Sequence, residues 1–112
     1  MTGTGDYQVR ITSAGGGEAV VHLVGEIDLT ARRDLEQTLA QATGHRRLVV
    51  DLSGTTFIDS TGLKALVTAW RTQTDAGREM VVRNPSPEVV RTIGFAGLAG
   101  TFPVDFTDSY ER

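Results

Sequence analysis

A chain of 112 residues with net charge −3 and no cysteine is the size of one ordinary domain with one hydrophobic core, spanning residues 1–112, and it lacks disulfides, thiol nucleophiles and thiolate metal sites, a pattern that suits the cytoplasm. The acidic balance, with arginines clustered only as the pairs Arg32-Arg33 and Arg46-Arg47, argues against nucleic acid as the main partner, because neutralising phosphates needs a basic face. No apolar run approaches the ~18 residues of a membrane span, and Met1-Thr2-Gly3-Thr4-Gly5-Asp6 lacks the basic start and apolar centre of a signal peptide, so it reads as a short leader.

Tyr7-Gln8-Val9-Arg10-Ile11-Thr12 alternates like a half-buried strand. Gly15-Gly16-Gly17 supplies a turn, and Ala19 to Val24 is the returning strand of a β-hairpin. Gly25-Glu26-Ile27-Asp28 is expected to break it. From Thr30 to Thr43 the spacing predicts a helix with Ala31, Leu35, Leu39 and Ala42 on one face, Asp34 near its positive end and Gly44 as its stop. Arg47 to Leu52 alternates too little to be exposed on one side and reads as a central strand. Ser53-Gly54-Thr55-Thr56 reads as a polar turn after it.

Phe57 and Ile58 follow, then Asp59-Ser60-Thr61-Gly62, where the pattern turns helical. A second helix is expected over residues 60–76, with Leu63, Leu66, Val67, Trp70 and Thr74 facing the core and Gly77 ending it. Glu79 to Arg83 is another strand. Asn84-Pro85-Ser86-Pro87 starts a short third helix that carries Val89, Val90, Ile93 and Phe95. Phe102 to Phe106 is a last short strand, and Thr107–Arg112 is a polar tail. The order ββαβαβαβ predicts an α/β fold: a mixed central sheet of about five strands, with three or four helices packed mainly on one face by right-handed crossovers.

Enzymatic readings find little support. No GxxxxGK[ST] run cradles phosphates, and no G-x-S-x-G elbow surrounds Ser60. His22 and His45 are not spaced as metal ligands; they read as a strand-surface and a loop residue. Residues 57–62 carry an apolar pair before Asp-Ser-Thr-Gly, as aspartic proteases do, but one extra residue separates Asp59 from Gly62 and would misplace the turn. No nucleophile–base pair is evident, so no catalytic residue, metal or cofactor is expected. At the start of a helix, Asp59 or Ser60 is an N-cap candidate.

Taken together, Gly25-Glu26-Ile27-Asp28, Val50-Asp51-Leu52, the segment Phe57 to Leu63, Gly77 to Val82 and Asn84-Pro85-Ser86-Pro87 resemble the STAS domain family, and within it the bacterial anti-sigma factor antagonists. The likeness runs from about Tyr7 to Phe106. Relatives finish with a full C-terminal helix, for which Thr107–Arg112 leaves one or two turns at most. The resemblance implies a cytoplasmic, monomeric regulator without enzymatic activity or cofactor. Its unphosphorylated form would bind an anti-sigma factor serine kinase and free the sigma factor. The kinase would inactivate it by phosphorylating the first hydroxyl after the aspartate, here Ser60, and a PP2C-type phosphatase would reverse this.

On that reading Ser60 is the acceptor, Asp59 orients it and caps the helix, and Thr61 is a second hydroxyl. Gly62 keeps bulk away from an approaching kinase loop. Asp28 lies near Ser60 or caps the first helix, and Lys64, the only lysine, points outward and touches the partner or solvent. Two other readings stay open: a STAS module acting on a non-sigma kinase or a transporter complex, and a sensor of a small anion or nucleotide at the 60–62 helix start.

Overall fold

A computed structural model describes residues 6–106. The expected leader, apart from Asp6, and the tail from Thr107 onward lie outside them. The elements run β1 (Tyr7–Gly15), β2 (Glu18–Ile27), a 3-10 turn (Leu29–Ala31), α1 (Arg32–Ala42), β3 (Arg47–Ile58), α2 (Ser60–Asp75), β4 (Glu79–Arg83), α3 (Pro87–Phe95) and β5 (Val104–Asp105). The five strands form one sheet in the order β1-β2-β3-β4-β5. β1 and β2 are antiparallel, and every later pair is parallel. Three successive crossovers advancing in one direction, all of the usual hand, leave their helices on the same face. The mixed sheet with helices on one side is thus the expected architecture, and β3 is its central strand.

Alternation then sorts the side chains. Ala19, Val21 and Leu23 of β2, Leu48, Val50 and Leu52 of β3, and Met80 and Val82 of β4 meet Leu35 and Leu39 of α1, Leu63 and Leu66 of α2, and Val89 and Ile93 of α3 in one core. The helix-free face carries a smaller stripe of Val20, Val49 and Val81. Beside it Arg47 pairs with Glu18 at 2.7 Å and Glu79 at 3.7 Å, and His22 lies 3.3 Å from Asp51. The Tyr7 O–H donates to Asp34 Oδ2 at 2.6 Å, tying β1 to α1. That bond, then burial and the charges of Asp34 and Asp28, hold the phenol above its usual range.

Three expectations need correction. β2 does not break at Gly25 but continues to Ile27. Gly25 sits at φ +87°, and a Cβ there would lie 2.0 Å from the backbone oxygen of Asp6. Only glycine fits at that φ against the Asp6 and Tyr7 backbone paired beside it.

Ser53-Gly54-Thr55-Thr56 is not a turn either; β3 runs through it to Ile58. The register with β2 slips twice: His22 faces Asp51, Val24 faces Gly54 and Glu26 faces Phe57. Each slip places one extra residue in β3, which is a β-bulge. At the first slip polar side chains bond the backbone where the ladder is interrupted. Asp51 Oδ1 accepts the Ser53 N–H at 3.0 Å, and the buried Thr55 hydroxyl donates to the Leu23 carbonyl at 2.6 Å. The bulges change the burial period from two to three, so that Leu52, Thr55 and Ile58 all point inward.

In α3, which carries Val89, Val90, Ile93 and Phe95 as expected, Val89 and Ile93 are buried, while Val90 is exposed and Phe95 is 84% exposed. In α2, Thr74 is exposed and its neighbour Gln73 is fully buried.

Candidate functional site

β2 and β3 end level with one another. Ile27 pairs with Ile58, and the Asp59 N–H donates to the Ile27 carbonyl at 3.1 Å. The next residue of each strand is an aspartate, Asp28 and Asp59, and each opens a helical segment. Asp28 Oδ1 accepts the Thr30 N–H at 2.9 Å, and Asp59 Oδ1 accepts the Gly62 N–H at 3.0 Å. Of the two N-cap candidates, Asp59 therefore does the capping of α2. Asp28 caps the 3-10 turn. This is the carboxyl end of the parallel strands, where open α/β sheets generally place their sites.

With the cap supplied by Asp59, Ser60 is the first residue of α2, exposed. Thr61 is only partly exposed and faces the groove between α1 and α2. Lys64 is exposed one turn later and lines the same groove, with Arg32 and Glu36 across from it on α1. The groove has a volume of about 500 Å³ and a floor of Leu39, Ala65 and Ala69. It brings a second cation, Arg32, near the start of α2, where sequence spacing showed only Lys64.

Gly62 has a packing role that sequence reasoning passed over. It is buried, and a Cβ there would lie 2.7 Å from Ile58 Cγ1 and 3.1 Å from Ile27 Cγ2. The missing side chain lets the first turn of α2 rest on the paired strand ends.

Sequence reasoning passed over the apolar surroundings of the site. Leu29 is 64% exposed and Phe57 48%, and each stands within two residues of a capping aspartate. Phe57 lines a cleft with Phe95, Glu88 and Arg91 of α3. The signal was available in Phe57-Ile58, since adjacent strand residues face opposite sides and only one could join the core. The histidines take structural parts: His22 lies 3.3 Å from Thr12 Oγ1 and Asp51 Oδ2, and His45 Nδ1 lies 2.8 Å from the Ala42 carbonyl. Among the described residues no three His, Asp or Glu side chains are grouped to hold a metal, and no helix is long and apolar enough to cross a membrane.

Comparison with known proteins agrees with this architecture. The family model described as Mlab, STAS domain, matches residues 11–105. An anti-sigma factor antagonist from Mycobacterium paratuberculosis is 30% identical and superposes with a TM-score of 0.81, over 92% of this chain and 88% of that one. The Bacillus cell fate determinant SpoIIAA, in its phosphorylated form, shares the fold at 21% identity and TM-score 0.72, over 91% and 94% of the two chains. A STAS domain protein from Planctomyces limnophilus shares it at 19% identity and TM-score 0.78, over 90% and 92%. A family match across nearly all the described elements, with the aspartate-capped helix start in place, makes this chain a member of the STAS domain family.

Proposed function

We propose that this protein is an anti-sigma factor antagonist, switched by phosphorylation at Ser60. Unphosphorylated, it binds an anti-sigma factor serine kinase and releases the sigma factor that the kinase holds. The observation that carries this reading is the placement of Ser60: an exposed hydroxyl at the first position of α2, relieved of capping by Asp59 and three residues after the exposed Phe57. The likeness to an antagonist at 30% identity supports it, as does a fold shared with a protein known in a phosphorylated form. Thr61, half-buried toward the α1–α2 groove, is the poorer acceptor.

In the switching step the Ser60 Oγ attacks the γ-phosphorus of ATP held by the kinase. The new O–P bond forms as the bond to ADP breaks, and the hydroxyl proton leaves to a base on the kinase. A PP2C-type phosphatase returns the hydroxyl by hydrolysis, releasing inorganic phosphate. The modification adds nearly two negative charges beside Asp59 and Asp28, on a surface shaped for a neutral hydroxyl. Like-charge crowding at an interface costs several kcal/mol, and each ~1.4 kcal/mol is tenfold in affinity. A change of charge without a change of fold is therefore enough to separate the partners. The protein acts as a cytoplasmic monomer, with no catalytic residue of its own.

The test is mass spectrometry after incubation with ATP and the anti-sigma kinases of the same organism. One phosphate on Ser60, absent from Ser60→Ala, is expected, together with loss of kinase binding by Ser60→Asp. A folded protein that no such kinase modifies, or a Ser60→Asp variant that binds as tightly as the wild type, would overturn the reading.

A further inference from the structure

Ser60 and Lys64 stand four residues apart on α2, and both are exposed. Side chains at that spacing are neighbours one turn apart, with Cβ atoms about 6 Å from each other. The order also matters: an anion four residues before a cation is the favoured arrangement. The other charged groups around the start of α2 are poorer partners for a phosphate. Asp59 and Asp28 repel it and are engaged by the Gly62 and Thr30 N–H groups. Arg32 lines the same groove but is held by Glu36 at 3.3 Å. Among the described residues Lys64 makes no ion pair.

We propose that Lys64 is the counter-ion of phosphorylated Ser60, so that one modification changes the surface twice: it adds an anion and withdraws a neighbouring cation. Before phosphorylation the Lys64 ammonium is free to meet an acidic group on the kinase. Afterwards it folds back along its own helix onto the phosphate, and the kinase loses an attraction as well as gaining a repulsion. The proposal rests on the reading of Ser60 as the phosphoacceptor, but its test does not depend on any kinase.

Phosphoserine is installed at position 60 during translation, in the wild type, Lys64→Gln and Lys64→Arg, and the phosphate is titrated by ³¹P NMR. The second phosphate pKa is expected to lie about 0.3 of a pH unit lower in the wild type than in Lys64→Gln. Lys64→Arg should keep most of that difference, and salt near 1 M should remove it. Superimposable curves for wild type and Lys64→Gln, or a difference that salt leaves intact, would overturn the pairing. The shift appearing in a protein that no anti-sigma kinase phosphorylates would sink the proposed function and leave the ion pair standing. Phosphorylation of Ser60 by a kinase without the shift would do the reverse.

Discussion

Asp59 does for α2 what Ser60 would otherwise have to do. Its carboxylate takes the Gly62 N–H, and the serine is left with its hydroxyl in solvent. Replacing Asp59 by alanine removes the cap and should cost about 1 kcal/mol, whereas Asp59→Asn should keep most of it; urea midpoints decide between them. Gly62→Ala puts a methyl group 2.7 Å from Ile58 Cγ1. Alanine's better helix propensity offsets part of that overpacking, leaving a net loss of about 1–2 kcal/mol. The capping pair was legible in the residue types, but not which member caps, because both Asp and Ser suit an N-cap and only the backbone geometry chooses. The packing role of Gly62 was not legible at all. It depends on Ile27, a residue 35 positions away that only the parallel register brings alongside.

At the scale of elements, α2 shows how far periodicity carries. Its stripe of Leu63 and Leu66 is buried as the spacing predicts, with Val67 and Trp70 packed partly against the core. The stripe fails at its last position because the groups to be met there are polar. The buried Gln73 accepts the Gly44 N–H at 2.8 Å and donates to the carbonyls of His45 at 3.0 Å and Glu79 at 2.8 Å. One side chain thus joins the end of α2 to the loop before β3 and to the first residue of β4. A search for apolar residues passes over such a clamp. Beyond it the helix closes with paired bonds, Gly77 N–H to the Thr74 carbonyl and Arg78 N–H to the Gln73 carbonyl, the Schellman arrangement that Gly77 announces in the sequence. Gln73→Leu fills the space but leaves three partly buried backbone groups without their side-chain partner. We expect a loss of about 3 kcal/mol, seen as a lower urea midpoint at an unchanged slope.

Across the whole molecule the strand order follows the chain order, which is why a simple ββαβαβαβ reading recovered the architecture. What it missed was continuity. The polar run after Leu52 looked like a turn because Ser, Gly and Thr are turn formers, yet two bulges absorb it, and at the first of them Asp51 and Thr55 side chains bond the backbone. Through them β3 advances two residues relative to β2, and this brings Ile58 level with Ile27 and the Asp59 N–H onto the Ile27 carbonyl. In a strand, a one-residue offset sends every later side chain to the opposite face. Removing Ser53 or Thr56 should therefore turn Ile58 out of the core and carry the Ser60 hydroxyl away from its place, with loss of cooperative unfolding by circular dichroism. Replacing either exposed residue with another polar one should change stability by less than about 0.5 kcal/mol. Between Leu52 and Ile58 the chain works as a spacer. Over many generations its spelling at Ser53 and Thr56 is free to drift, while its letter count is not.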